Sequence, residues 1–182
     1  MASEDQDGHE SYRVIVLRPG GTEVLLGWYG DQFALPSVEI PAGNRTAETL
    51  TAAIKTDWGE EVVCLFETDT EARRGGTRVR FQAAEHWRTS SRPKLQTRWL
   101  PVATLLQDSL IDPYDFSAIR EVIAECGAEM RDSSLGPFAR LGWFRELREW
   151  VSGVIEPQGF YLHENFRQMN ASPLVQPHSI RN

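Results

Sequence analysis

Residues 38–60 read VEIPAGNRTAETLTAAIKTDWGE, and this stretch is the most informative in the chain. It has a loop–helix–loop layout, in which Thr46 is placed as the N-cap residue and Gly59 as the C-terminal cap of one helix. Apolar side chains between them recur at helical spacing. The pattern predicts a helix that buries one face, formed by Leu50, Ala53, Ile54 and either Asp57 or Trp58.

Strand-like runs lie on both sides of this helix. Upstream, residues 12–18 and 23–29 flank Pro19-Gly20-Gly21-Thr22, an arrangement typical of a β-hairpin, and residues 30–45 are predicted as loop. Downstream, we predict strands at residues 61–66, 77–83 and 95–100, then a helix from Asp112 with Pro113 in its first turn. Strands, helix, strands and helix in that order predict an α/β sandwich with a mixed sheet between helices.

The same stretch resembles the Nudix box, G-x5-E-x7-R-E-U-x-E-E-x-G-U, in which U is an aliphatic residue. Without gaps, the closing glycine of the box falls on Gly59 and an aliphatic position falls on Ile54. The resemblance extends over roughly residues 11–130 and implies a Nudix-like α/β/α sandwich. The remaining box positions are replaced: the first glycine by Val38, the first glutamate by Asn44, the Arg-Glu pair by Ala52-Ala53 and the paired glutamates by Thr56-Asp57.

The replaced positions are those that carry the chemistry of the Nudix family, whose box glutamates hold a divalent metal around a pyrophosphate. One acidic position of four survives, as Asp57, which is the catalytic residue to expect if the chain is active. Other acids that folding can bring near it are Glu60 and Glu61, so these three are the metal candidates. Glu48 lies nine residues from Asp57, which puts the two on opposite helix faces. The sequence therefore predicts a compromised box.

Arginines in residues 73–80 form the main candidate for an anion-binding site. Arg78 and Arg80 share one strand face, opposite Val79 and Phe81, and forked guanidinium groups suit phosphate or carboxylate recognition. The alternative is a solvated strand face that balances nearby acids. His86 and the hydroxyl run that begins at Thr89 have no recognisable nucleophile motif around them, so we expect surface positions there.

The C-terminal quarter of the chain is predicted to form a separate appendage. Residues 131–141 read as a linker, and residues 142–182 as an amphipathic helix followed by a tail; residues 1–10 are expected to be disordered. The tail resembles the connector that follows a Nudix-like module in bacterial aminoglycoside-phosphotransferase-like proteins, although no kinase motif is present. Self-association or binding of a protein partner is expected through the helix residues Trp143, Leu147 and Trp150.

Composition excludes several classes of function. The formal net charge of −7 argues against general nucleic-acid binding, which needs a cationic face. The sequence has no apolar run of about 18 residues that would span a membrane. The N-terminal stretch MASEDQDGHES is unlike a secretory signal, and Cys64 and Cys126 are expected as reduced thiols, which favours a cytoplasmic protein.

These observations leave three hypotheses for the function. The first is a catalytically compromised Nudix-like domain that binds a ligand or acts in regulation, with an anionic small molecule or nucleotide as ligand and no cofactor. The second is a divergent pyrophosphohydrolase that uses Mg²⁺ to act on a nucleoside diphosphate derivative. The third is a purely structural interaction module that depends on the aromatic C-terminal helix. The sequence identifies neither the ligand nor the oligomeric state.

Overall fold

A mixed β-sheet forms the centre of the molecule. The computed structural model describes residues 8–29, 32–42, 45–74, 76–89, 97–105, 111–127, 137–163 and 168. Within them the strands run in the order β3-β2-β1-β6-β5, while β4 pairs with β1 and β7 pairs with β2. Their bounds are β1 His9–Leu17, β2 Glu23–Tyr29, β3 Gln32–Ala34, β4 Ser37–Pro41, β5 Glu60–Arg74, β6 Thr77–Thr89 and β7 Thr97–Pro101.

One parallel pair makes the sheet mixed. Strand β1 runs parallel to β6, with Ser11 opposite Val79 and Leu17 opposite Glu85. The other pairs between described strands are antiparallel, and Phe33 of β3 forms an isolated parallel bridge with Ile111. The sheet is covered by helices α1 (Thr46–Ala53) on one face and α3 (Pro113–Gly127) on the other, with short α2 at Val102–Leu105 and α4 at Trp143–Ile155. The predicted α/β sandwich with a C-terminal helix is confirmed.

The two faces of the sheet form two separate apolar cores. Alternating side chains of each strand point to opposite faces, so neighbours such as Ile15 and Val16 belong to different cores. The core under α3 includes Phe81, Ile119 and Val122. The core under α1 includes Tyr12, Ile40, Leu50, Ile54 and Trp58, all nearly inaccessible to solvent.

The N-terminal hairpin is confirmed, whereas the predicted loop over residues 30–45 is wrong in part. Gly20 and Gly21 both have positive φ, of 86° and 68°, which suits a tight turn between β1 and β2. Strands β3 and β4 lie in the segment predicted as loop. In β4, Val38 and Ile40 are buried while their neighbours are exposed, which is the alternation of a strand with one face on the core.

The helix of the Nudix-like segment has two parts. Helix α1 begins at Thr46, but its N-cap residue is Arg45 rather than Thr46, and no side chain caps it. A π-helical turn, Ile54–Trp58, continues it and ends on Gly59, whose φ of 73° confirms the predicted C-terminal cap. The wider π turn offsets the rotation that an α-helix accumulates over repeated steps of four residues. Leu50, Ile54 and Trp58 therefore all face the core.

Strands β5 and β6 are much longer than predicted. They extend to Arg74 and Thr89 instead of ending at residues 66 and 83, and they form one long antiparallel pair with irregularities near Val62 and Glu67. The predicted strand at 95–100 is found as β7, and its first residues lie outside the described part. Within that part, no helix is long and apolar enough to cross a membrane.

Both predicted helices near the C-terminus are present, and both cysteines are free as expected. In α3 the apolar residues Phe116, Ile119, Val122, Ile123 and Cys126 all belong to or pack against the core. Of the predicted disordered tail, residues 1–10, residues 1–7 lie outside the described part, while His9 and Glu10 belong to β1, so the prediction is wrong for these two. Most of the connector-like segment, residues 164–167 and 169–182, also lies outside the described residues.

Candidate functional site

The acidic residues around the Nudix-like helix lie at its C-terminal end, one in the π turn and two in the strand that follows. Asp57 is in the π turn and is half-buried, Glu60 opens β5 and is buried, and Glu61 follows with partial exposure. Thr56, which the sequence resemblance aligned with a glutamate of the Nudix box, is exposed. Asn44 lies outside the described residues. The local sequence therefore positions one carboxylate on the helix and two on the adjoining strand.

Glu60 forms an internal contact with β6 instead of facing solvent. Its side chain is 7% exposed; Oε2 accepts a hydrogen bond from the Thr89 hydroxyl at 2.9 Å and lies 3.0 Å from His86 Nε2. The His86 ring meets Trp99 edge-on, with centroids 5.2 Å apart. Burial lowers the pKa of His86, and this effect outweighs the opposing influence of Glu60. Glu60 therefore orients a mainly neutral imidazole.

Glu61 is held by two cations. Lys55 Nζ lies 2.6 Å from one carboxylate oxygen, and Arg88 Nε donates to the other at 2.7 Å. Burial raises the pKa of Glu61, but the hydrogen bonds from Arg88 and Lys55 outweigh it and leave the pKa below its usual value. The carboxylate is thus ionised and already neutralised by protein groups.

The divalent metal implied by the Nudix resemblance does not fit the described side chains. Magnesium needs several hard oxygen ligands that converge at about 2.1 Å. Among the described residues, no three His, Cys, Asp or Glu side chains are grouped to hold a metal ion. Glu60 and Glu61 are engaged by His86, Thr89, Lys55 and Arg88, so an ion would have to displace existing partners to use them.

The two arginines predicted to bind anions lie on β6, and both contact carboxylates of the same sheet. Arg78 is exposed and pairs with Glu71 across the β5–β6 ladder. Arg80 is partly buried: its guanidinium lies 3.6 Å from Glu67 and 3.7 Å from Glu10, and it donates to the Tyr12 hydroxyl at 3.3 Å. Their positive charge is balanced inside the sheet, and a ligand-binding role for them stays a prediction.

The Glu60–His86–Thr89 contact was missed because His86 and Thr89 were expected on the surface. Both lie on β6, where His86 is partly buried and Thr89 is exposed, so the surface expectation is wrong for His86 only. The available signal was the continued β pattern past Ala83, in which Glu85 and Trp87 alternate with His86 and Arg88. The pairing itself joins residues 26 positions apart, and spacing along the chain does not reveal it.

The C-terminal helix is attached to the sheet by polar and aromatic contacts. Glu85 is 5% exposed, and its Oε2 accepts a hydrogen bond of 2.8 Å from the backbone N–H of Gly142, directly before α4. Trp87 meets Phe144 edge-on at 5.1 Å, and the Arg148 guanidinium lies 4.7 Å from the Trp87 ring centroid. A cavity of about 10 Å³ lies at this junction, lined by Val63, Glu85, His86, Trp87, Phe144 and Arg145.

The opposite side of α4 is apolar and open to solvent. Phe144 is the buried residue of this helix, which is described over its whole length. By contrast, Leu147 is 41% exposed, Trp150 68% and Val154 47%. Phe138 is 61% exposed and stacks edge-on against Trp143 at 5.3 Å near the start of the helix. We call Leu147, Trp150 and Val154 the outer α4 surface.

Solved structures that include Nudix hydrolases resemble this one. The MutT protein of Methanosarcina mazei Go1 matches with a TM-score of 0.54 at 11% identity, over 69% of this chain and 100% of that one. A Nudix hydrolase of M. smegmatis, RenU, matches with a TM-score of 0.50 at 19% identity, over 68% and 91%. The E. coli ORF135 protein matches with 0.51 at 15% identity, over 68% and 95%. At these identities the likeness establishes a Nudix-like fold.

Sequence comparison adds no closer relationship: no protein-family model and no curated protein matches the chain.

Proposed function

We propose that this chain is a non-hydrolytic Nudix-fold module that binds another protein surface through α4. The observation that carries the proposal is the outer α4 surface, where three large apolar side chains project into solvent on one helix face. Apolar patches of this kind mark sites of association in soluble proteins. The sheet and α1 supply the rigid body on which the helix is presented.

The surroundings of the box support the absence of hydrolysis. Metal-assisted phosphate chemistry uses an ion to activate water and to neutralise pyrophosphate oxygens. Of the described acids near the helix, Glu61 is neutralised by Lys55 and Arg88, and Glu60 orients His86. Both carboxylates thus have structural partners, which is the arrangement of a scaffold.

Arg78 and Arg80 on β6 give weaker support for a small-molecule site. A phosphate-binding guanidinium must exchange its existing partner for the ligand, and both Arg78 and Arg80 already contact carboxylates. The outer α4 surface requires no such exchange. We therefore assign the binding function to α4 rather than to an anionic ligand on β6.

A hydrolysis assay tests the first half of this proposal. With Mg²⁺ or Mn²⁺ and a broad panel of nucleoside diphosphate derivatives, we expect no multiple turnover, because the metal ligands do not converge. Calorimetric titration with either ion should show no saturable binding. A Nudix enzyme with an intact box serves as the positive control. Multiple turnovers that disappear in Asp57→Asn would establish the divergent pyrophosphohydrolase instead.

A further inference from the structure

Four of the apolar residues of α4 are arranged symmetrically along the helix. Trp143, Leu147, Trp150 and Val154 follow one another at steps of four, three and four residues. Alternating steps of three and four are the spacing of a coiled-coil seam. The midpoint of this run lies between residues 148 and 149, so the pattern of steps is the same when the helix is read from either end.

A second copy of the helix, laid antiparallel, matches this pattern residue by residue. Leu147 then lies opposite Trp150 of the second copy, and Trp143 lies opposite its Val154. Each pair joins an indole to a smaller aliphatic side chain, which lets the two surfaces interdigitate. A two-fold axis through the midpoint makes each contact twice, as in an isologous dimer interface.

Docking of α4 on its own domain uses Trp143, which is partly buried against the core under α3, but not the other three residues. The contacts to the sheet are made by Phe144 and Arg148, which meet Trp87, and by the helix start at Gly142. These contacts leave Leu147, Trp150 and Val154 exposed to solvent. The helix therefore has one face for its own domain and a second face that is open for a partner.

The charged residues around α4 allow the same apolar surface of a second copy to approach. Glu146, beside the seam, pairs with Arg140 of the same chain, and Arg148 points towards Trp87. Gly153 also lies beside the seam, where an added Cβ would meet no atom within 4 Å, so the backbone can be approached closely. Two copies can thus meet here without placing like charges in the seam, although each carries a net charge of −7.

We infer that the partner of the outer α4 surface is the same surface of a second copy of this chain, paired antiparallel about a two-fold axis between Arg148 and Glu149. This inference rests on the proposed interaction function and names its partner. The Trp143 end of each helix, where Phe138 is exposed, receives Val154 of the other copy.

The mass of the full chain in solution tests the pairing. We expect a concentration-dependent dimer by sedimentation equilibrium. Trp150→Glu should raise the dimer dissociation constant on the order of a thousandfold, because one buried aromatic anchor is lost from each of the two copies. Tyr114→Glu is the matched control, since Tyr114 is also an exposed helical aromatic, 52% exposed on α3, and should leave the dimer intact.

The register is tested by disulfide formation between two variants. When Leu147→Cys and Trp150→Cys proteins are mixed under mild oxidation, a covalent dimer should form between them in excess of the dimers that each forms alone. The native thiols give little background, because burial raises the pKa of both Cys64 and Cys126 to about 12 and thiolate is the reactive form.

The outcomes separate this inference from the function on which it rests. A dimer that survives Trp150→Glu, or a chain that stays monomeric at all accessible concentrations, overturns the pairing of α4 with itself. Neither result bears on hydrolysis, which the metal and turnover assays decide. Conversely, the protein could show metal-dependent turnover and also form a dimer that Trp150→Glu dissociates. That result would refute the non-hydrolytic function and support the dimer.

Discussion

Arg13 and Asp115 show how a buried charge pair fixes the route of the chain. Asp115 is completely buried, and its Oδ2 lies 3.7 Å from Arg13 Nη1. Arg13 donates to the Leu35 carbonyl at 2.8 Å, and the Leu35 N–H donates to Asp115 at 3.2 Å. The two side chains thus satisfy the backbone between β3 and β4 and tie it to both β1 and α3.

Asp115→Ala should lower the free energy of unfolding by about 3–5 kcal/mol, because it leaves the Arg13 charge buried without its partner. Urea denaturation monitored by circular dichroism measures the change. Glu23→Ala is the control: the Arg18–Glu23 pair, 3.2 Å apart, is substantially exposed, and its loss should cost at most about 1 kcal/mol. Equal costs for the two substitutions would contradict the structural role assigned to Asp115.

Glu60 shows how a carboxylate is accommodated at a buried position. In the gapless match to the Nudix box that the sequence suggests, it falls where an aliphatic residue is expected. Burying an unpaired charge is costly, and His86 and Thr89 on β6 supply the missing hydrogen bonds. The same residues that stabilise Glu60 also keep it from serving as a metal ligand.

At the scale of elements, Glu85 links the stability of α4 docking to pH. Burial raises the pKa of its carboxyl, although the hydrogen bond from Gly142 and the nearby Arg145 oppose the effect. The folded state therefore binds this proton more tightly than the unfolded state does. The stabilisation from Glu85 is largest at acidic pH. It falls as pH rises from 4.5, the ordinary pKa, through the raised pKa of the folded state. Other charged groups that influence this carboxyl are Arg140 and Glu146.

Glu85→Gln should remove this pH dependence, since the amide oxygen still accepts the Gly142 hydrogen bond but carries no charge. The free energy of unfolding, measured by urea denaturation at several pH values, should decline less steeply for the variant than for the wild type as pH rises above 4.5. Glu149→Gln, on the exposed part of α4, controls for the loss of one negative charge. Parallel curves for wild type and Glu85→Gln would refute the assigned role.

The elements that the sequence predicted are those with a strong periodic pattern. Helices α3 and α4 and the β1–β2 hairpin were found where apolar spacing and turn residues placed them. The extension of β5 beyond residue 66 was not predictable, because its buried positions there are Thr68 and Ala72, which give no strong apolar alternation. The π turn was missed since its residues fit an α-helical pattern equally well.

The candidate site was less predictable than the fold. Comparison with the Nudix box indicated which acidic residues were absent. It did not indicate that Glu61 would pair with Lys55 and Arg88, because these contacts depend on how β5, β6 and the π turn meet. Similarly, the apolar stripe of α4 predicted an amphipathic helix. It did not reveal that Phe144 would face the sheet while Trp150 faced solvent.

At the scale of the whole molecule, the segment after residue 136 is fastened to the sheet at two places. Glu85 holds the start of α4 through Gly142, and the Gln168 carboxamide hydrogen-bonds to both the N–H and the carbonyl of Cys64, at 2.8 and 3.0 Å. Within the described residues, β5 has no strand partner beyond β6, so Gln168 satisfies backbone groups on an open sheet edge.

Truncation after Ser133 should therefore destabilise the remaining domain as well as abolish dimerisation. Burial of Phe144 alone is worth roughly 1.5–3 kcal/mol, and a loss of this size lowers the melting temperature by about 5 °C or more. The proper reference is full-length Trp150→Glu, which we expect to be monomeric but still docked, so that the comparison excludes the stabilisation contributed by dimerisation itself. Calorimetric melting of the two monomers measures the difference. If they melt at the same temperature, α4 is not docked on its own domain in solution, and its inner face, including Phe144, must be covered by a partner as well.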